Sequence, residues 1–232
     1  MDDFYEYAKN NSKLDFCAPL LFSYNTCIAD VWERVMNAAD RHKREGSFAA
    51  FPGFECGTPP DDSHRCVYFL GDKPVPPIFC ETRPPALDPN LLKRLNPAAV
   101  ICGTLEELYK TVANYGGIGG GHFHMISYRR EQLFEIRQKQ EFGRQYQKAK
   151  RHGDEEKNLY EYLTEGKHFG ITGGSDTHDS MLWSPGTERF EIRYREKPRE
   201  VLQEEGSGSD FYLVKAVQSD GHRGWTSPIR IG

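Results

Sequence analysis

Thr104-Leu105-Glu106-Glu107-Leu108-Tyr109-Lys110-Thr111-Val112-Ala113-Asn114-Tyr115-Gly116-Gly117-Ile118-Gly119-Gly120-Gly121-His122-Phe123-His124-Met125 is the stretch that decides the fold class. Thr104 with Glu107 three residues on is a capping-box pattern, Leu105, Leu108 and Val112 fall on one side of a helix, and Gly116-Gly117 stop it. Residues 118–125 then read as a strand that carries two imidazoles. A helix feeding a strand with polar residues at its far end is part of an α/β unit, where ligands gather at the C-terminal ends of strands.

The same alternation extends to both sides. Residues 29–45 put Val31, Val35, Ala38 and Ala39 on one helix face, with Asp30 as N-cap and Gly46 as stop. Residues 48–51 read as a short buried strand halted by Pro52-Gly53, residues 66–70 as another, and the Pro-rich stretch 72–89 as a loop. Downstream, residues 133–136 form a strand, a charged amphipathic region runs to about Glu165, and residues 169–172 form a strand that enters Gly173-Gly174-Ser175-Asp176. Strand and helix in turn favour a mainly parallel sheet or barrel. From Thr187 the pattern changes to period two, at 189–194 and 211–217, with residues 225–231 as a third run. We therefore expect a main α/β domain over 1–186 and a small antiparallel β unit over 187–232 packed on it.

Composition sets the outer limits. With 232 residues, 14 Phe, 12 Tyr and 3 Trp, the chain can fill one substantial core. Its 34 acidic and 30 basic residues are dispersed, so nothing points to nucleic-acid binding. No run reaches the roughly 18 apolar residues that cross a bilayer, and the acidic start, Met1-Asp2-Asp3, lacks a secretory pattern. A cytoplasmic protein with no membrane partner is the expectation. Six cysteines without a Cys-x-x-Cys pair read as buried free thiols.

Four places carry the residue types that chemistry needs. Asp176 and His178 follow the strand 169–172, and residues i and i+2 of an extended chain share a face, about 6 to 7 Å apart. That suits two ligands of one metal ion or of neighbouring ions, although Ser175 or Asp176 capping a helix, with His178 on the surface, also fits. His122 and His124 repeat the spacing after three glycines that would let a ligand or another backbone come close; His124 reads equally well as a hydrogen-bonded core imidazole. Glu55, at the mouth of an apolar run, either bridges cations or is a loop acid. His64, approaching the strand 66–70, carries the same two readings, while Asp61 and Asp62 read as solvated turn residues. Imidazole and carboxylate without thiolate suit zinc, manganese or iron and not a structural zinc site. Phosphate-loop, serine-hydrolase-elbow and His-Glu-x-x-His motifs are absent from the sequence. Arg129, Arg130, Arg137 and Lys139 form a small basic cluster that is either a solvated face or, for the first two, positive charge near His122 and His124 for a phosphate.

The order of several motifs resembles a known family. Leu14-Asp15-Phe16-Cys17-Ala18, the Trp32 helix, Gly46-Ser47-Phe48 leading to Phe51-Pro52-Gly53-Phe54-Glu55, His64-Arg65-Cys66-Val67-Tyr68-Phe69, Gly116-Gly117 leading to His122, Leu133-Phe134-Glu135-Ile136 and Gly173-Gly174-Ser175-Asp176-Thr177-His178 look like the PHP-like (polymerase and histidinol phosphatase) proteins of a large domain-of-unknown-function family. The β-rich stretch Ala216-Val217-Gln218-Ser219-Asp220-Gly221 with Gly224-Trp225-Thr226-Ser227-Pro228-Ile229 is similar to that family's C-terminus. The resemblance implies a distorted TIM-like barrel of seven β/α units, incomplete in this chain. It also implies one to three divalent ions (zinc, manganese or iron) and hydrolysis of a small phosphate ester by metal-activated water. Glu55 would be the bridging carboxylate, His64 and His122 (or His124) imidazole ligands, and Asp176 with His178 the closing pair, with Glu55 and Asp176 in the catalytic role.

Three features depart from that family's pattern. Its first-strand His-x-His has no counterpart, and Leu21-Phe22 stand where an Asp-His would follow the second strand. The passage from Ser184-Pro185-Gly186 to the β tail is also shorter. Two functions follow: a metal-dependent hydrolase, or a non-catalytic scaffold or binding module that retains a partial metal site.

Overall fold

A computed structural model describes residues 1–28, 30–58, 63–80, 88–121, 133–137, 155–174, 211–217 and 223–230. Its centre is a six-stranded sheet of β2 (Leu20–Phe22), β4 (Gly53–Thr58), β5 (Ser63–Phe69), β8 (Gly117–Gly121), β9 (Leu133–Arg137) and β10 (Gly170–Gly174), in the order β10-β9-β8-β5-β4-β2. Two parallel pairs stand beside it, β1 (Phe16–Cys17) with β3 (Ala49–Ala50) and β6 (Ile78–Phe79) with β7 (Val100–Ile101).

The stretch around Thr104 folds as its pattern dictates. Helix α5 (Leu105–Asn114) starts at Thr104, whose Oγ1 accepts from the Glu107 N–H at 3.2 Å, while Glu107 Oε2 accepts from the Gly103 N–H at 2.7 Å. Gly116, at φ +71°, turns the chain into β8. Helix α3 (Val31–His42) also forms with Asp30 at its N-cap, but it ends at Lys43, and Gly46 lies instead in the turn that joins Arg44 to Phe48.

Helices α3 and α5 cover one face of the sheet. Trp32, Val35, Leu108 and Val112 from the helices pack on Phe54, Cys56, Val67 and Phe69 from β4 and β5. The Trp32 indole N–H donates to the Val75 carbonyl at 2.7 Å, and its ring meets those of Phe54 and Phe69 edge-on. The glycines of β8 make room for α5: a Cβ on Gly119 would lie 2.3 Å from the Tyr109 ring. Helix α1 (Asp2–Asn10), which hydrophobic spacing left unread, docks Tyr5 and Ala8 on Ala38 and Ala39 of α3. The other helices among the described residues are α2 (Ser23–Thr26), α4 (Pro89–Leu95) and α6 (Glu155–Thr164).

The structure is mixed α/β, and three details differ from expectation. Among the described residues the sheet is open, with β2 and β10 as edges, and no pairing closes it into a barrel. Strand β5 runs antiparallel to β4 and β8, because four residues between Thr58 and Ser63 are too few for the crossover that a parallel pair needs. The stretch 72–89, expected as loop throughout, contributes β6, and its final residue, Pro89, opens α4 with Asp88 as N-cap.

In the C-terminal region β11 (Phe211–Tyr212) pairs with β14 (Ile229–Arg230) and β12 (Lys215–Val217) with β13 (Arg223–Trp225), all antiparallel. Phe211, Leu213 and Trp225 pack on Leu159, Leu163 and Phe169, and the Ile171 N–H donates to Ser227 Oγ at 2.9 Å. The expected strand at 189–194 lies outside the described residues.

Candidate functional site

Strand direction brings several ends to one edge of the central sheet. β2, β4, β8, β9 and β10 run parallel to one another, and β5 runs against them. The C-terminal ends of the five therefore share an edge with the start of β5, where His64 stands. The chain leaves β8 at Gly121, directly before His122, and leaves β10 at Gly174, two residues before Asp176.

Glu55 and His64 meet at this edge. The register pairs Glu55 with Cys66 and Gly57 with His64, so the two side chains lie on one face as diagonal neighbours, within reach of a long side chain. Glu55 Oε1 is in direct contact with His64 Nδ1, and the side chains are 9% and 14% exposed. Both residues were expected outside strands. Glu55 instead lies within β4, because the chain resumes extended structure immediately after Pro52, and His64 lies within β5, which starts three residues earlier than its apolar run. The loop-acid reading of Glu55 is thereby overturned: it is a buried strand residue.

Two neighbours were not assigned from sequence. Phe22, in register with Glu55 on β2, presents its ring edge-on to His64 at 6.3 Å and stacks on Tyr24 at 5.3 Å. An aromatic wall thus stands beside the carboxylate–imidazole pair. Arg65, fully buried, projects to the opposite face, and its Nη1 donates to the His64 carbonyl at 3.2 Å. Phe22 ends the apolar run Leu20-Leu21-Phe22, and only the register shows that it lies opposite Glu55.

Of the six expected ligands, the structure joins Glu55 and His64. His122, His124, Asp176 and His178 lie outside the described residues, as do Arg129 and Arg130. Among the described residues no group of three or more His, Cys, Asp or Glu side chains is arranged to hold a metal ion. All six cysteines are buried and free. Burial pushes the Cys17 and Cys27 thiols up to about 12 and raises Cys102, so these groups are poor nucleophiles and poor ligands. No helix among the described residues is long and apolar enough to cross a membrane.

Comparison with known proteins gives no match to a family model, a curated protein or a solved structure.

Proposed function

We propose that this chain is a metal-dependent hydrolase of the PHP type, built on an incomplete barrel of that family and acting on a small phosphate ester. The reading rests on one observation above others: a carboxylate and an imidazole, largely shielded from water, meet at the sheet edge from which β8 and β10 lead to His122 and Asp176. Carboxylate oxygen with imidazole nitrogen fits zinc, manganese or iron. When bound, such an ion would make a water more acidic and offset charge on a phosphoryl group. Glu55 and His64 would hold it, with His122 or His124, Asp176 and His178 completing the set. Phe22 and Tyr24 would exclude water on the β2 side. Six reduced, buried thiols fit a cytoplasmic setting.

The test is a screen of generic phosphomonoesters and diesters with added manganese or zinc, run on the parent, Glu55→Gln and Asp176→Ala, with metal content measured alongside. Hydrolysis abolished by EDTA and by both substitutions, with metal content reduced, is the expected result. Activity that survives both, or protein that takes up no metal, overturns the reading.

A second reading, a non-catalytic scaffold or binding module, is favoured by Leu21 and Phe22. Leu21 packs against the main core and Phe22 against His64, at the position where the resembled family carries Asp-His. Metal uptake without turnover of any ester in the same screen would select it.

A further inference from the structure

The opposite edge of the central sheet, where β4 begins and β5 ends, borders a cavity of about 480 Å3. This lies within the range of small-molecule sites, roughly 300 to 1,000 Å3. One wall is a second stripe of α3. Trp32, Val35, Ala39 and His42 belong to the buried side of that helix, whereas Glu33, Met36 and Asp40, spaced by three and four, face the cavity. Such a stripe is ordinarily a solvated charged face. Here residues 70–77 cross in front of it, and Lys43 Nζ on α3's C-cap residue meets Asp72 Oδ1 at 2.6 Å, tying the two walls together.

The lining has two parts. Trp32, Phe69 and Val75, all buried, and the half-buried Met36 supply an apolar floor. Among the described residues four carboxylates, Asp30, Glu33, Asp40 and Asp72, line it with one cationic side chain, Lys43, which Asp72 engages. Asp30 lies 3.6 Å from Arg34, Asp40 is near enough to Lys43 to act on its charge but forms no ion pair with it, and Glu33 has no ion-pair partner among the described residues. An apolar floor under acidic walls favours a ligand with an apolar body and a positive charge, and disfavours an anion.

We propose that this cavity binds a small organic cation, its apolar body on Trp32 and Met36 and its charge beside Glu33 and Asp40. The site is separate from the Glu55–His64 edge and does not depend on the hydrolase reading. Phenethylammonium, 2-phenylethanol and phenylacetate share one ring and differ in charge, so titrating each into the full chain by calorimetry or ligand-observed NMR isolates the electrostatic contribution. The expected order is cation, then alcohol, then anion, with the cation weakened in 0.5 M salt. The exposed double substitution Glu33→Gln/Asp40→Asn should weaken phenethylammonium about fivefold, the size expected of two exposed ion pairs, and leave the alcohol unchanged. Met36→Trp should fill the floor and weaken all three, with melting curves checking that the variant folds. Equal affinity for the three probes, no binding of any, or an unchanged double variant overturns the proposal. So does a dimer in sedimentation that Met36→Lys dissociates, since that would assign the face to a second copy of the chain.

Discussion

Phe54 and Glu55 are adjacent in β4 and lie on opposite faces of the sheet, and each has a partner on the neighbouring strand. Phe54 meets Val67 in register and the rings of Trp32 and Phe69 in the layer under α3 and α5. Glu55 meets His64 and lies in register with Phe22. One face is held by apolar area removed from water, the other carries a carboxylate–imidazole contact sheltered from it. Period-two alternation lets a single strand serve both, so a substitution on one face should leave the other's role intact.

The largest expected effect comes from the apolar face. Phe54→Ala should destabilise the protein by about 3–5 kcal/mol in urea unfolding, the range for deleting a buried aromatic ring. A loss below about 1 kcal/mol would mean that this layer is not the core. Next is Gly119→Ala, whose methyl group must displace the Tyr109 ring and should cost about 1–3 kcal/mol; an unchanged midpoint would show that α5 can lift from β8 freely. Glu55→Ala should cost a similar or smaller amount, about 1–3 kcal/mol, because it removes a partner from a shielded imidazole. If it unfolds the protein as thoroughly as Phe54→Ala, the division between faces fails.

Cysteine labelling sharpens the same comparison without a substitution. Cys56 lies on the apolar face and Cys66, paired with Glu55, on the other, and both are fully buried. Each should resist a thiol reagent until the protein is denatured. Rapid labelling of Cys66 with Cys56 protected would show the Glu55 face opening alone.

The smallest effect concerns a second histidine–carboxylate arrangement, in which the imidazole is again buried but the carboxylates are exposed where Glu55 is enclosed. His42 Nε2 lies 2.9 Å from Asp2 Oδ1 and its Nδ1 3.2 Å from Glu6 Oε1, and the Asp2 side chain is 53% exposed. Arg41 first, and His42 after it, hold the Asp2 carboxyl below its ordinary value of 3.8. Its folded pKa is depressed, so its contribution is fully present above 3.8 and is lost as pH falls through the lowered value. Asp2→Asn should flatten the acid limb of the stability–pH curve slightly and leave neutral pH almost untouched; an identical acid limb would show that the contact is worth nothing in solution.

Local chemistry carried much of the fold into the sequence. The capping box at Thr104, the stop at Gly116 and the apolar spacing of α3 are legible because each depends on residues within one or two turns. β9 and β10 were legible as apolar runs. α1 was not, because its apolar residues are few and its place is fixed by docking Tyr5 and Ala8 on α3. The sheet's openness and the reversal of β5 depend on which strands pair, and periodicity does not encode pairing.

By itself the sequence determined an alternation of helices and strands, the buried state of six thiols and the choice of Glu55 and His64 as residues worth attention. Only the tertiary structure decided that these two touch, that Phe22 stands against His64, and that α3 carries a second face along a cavity. The reason is the range of the forces involved. Caps, stops and amphipathic spacing are satisfied by neighbours in the chain, whereas a diagonal contact between Glu55 and His64 exists only once hydrogen bonding between β4 and β5 has fixed Gly57 opposite His64.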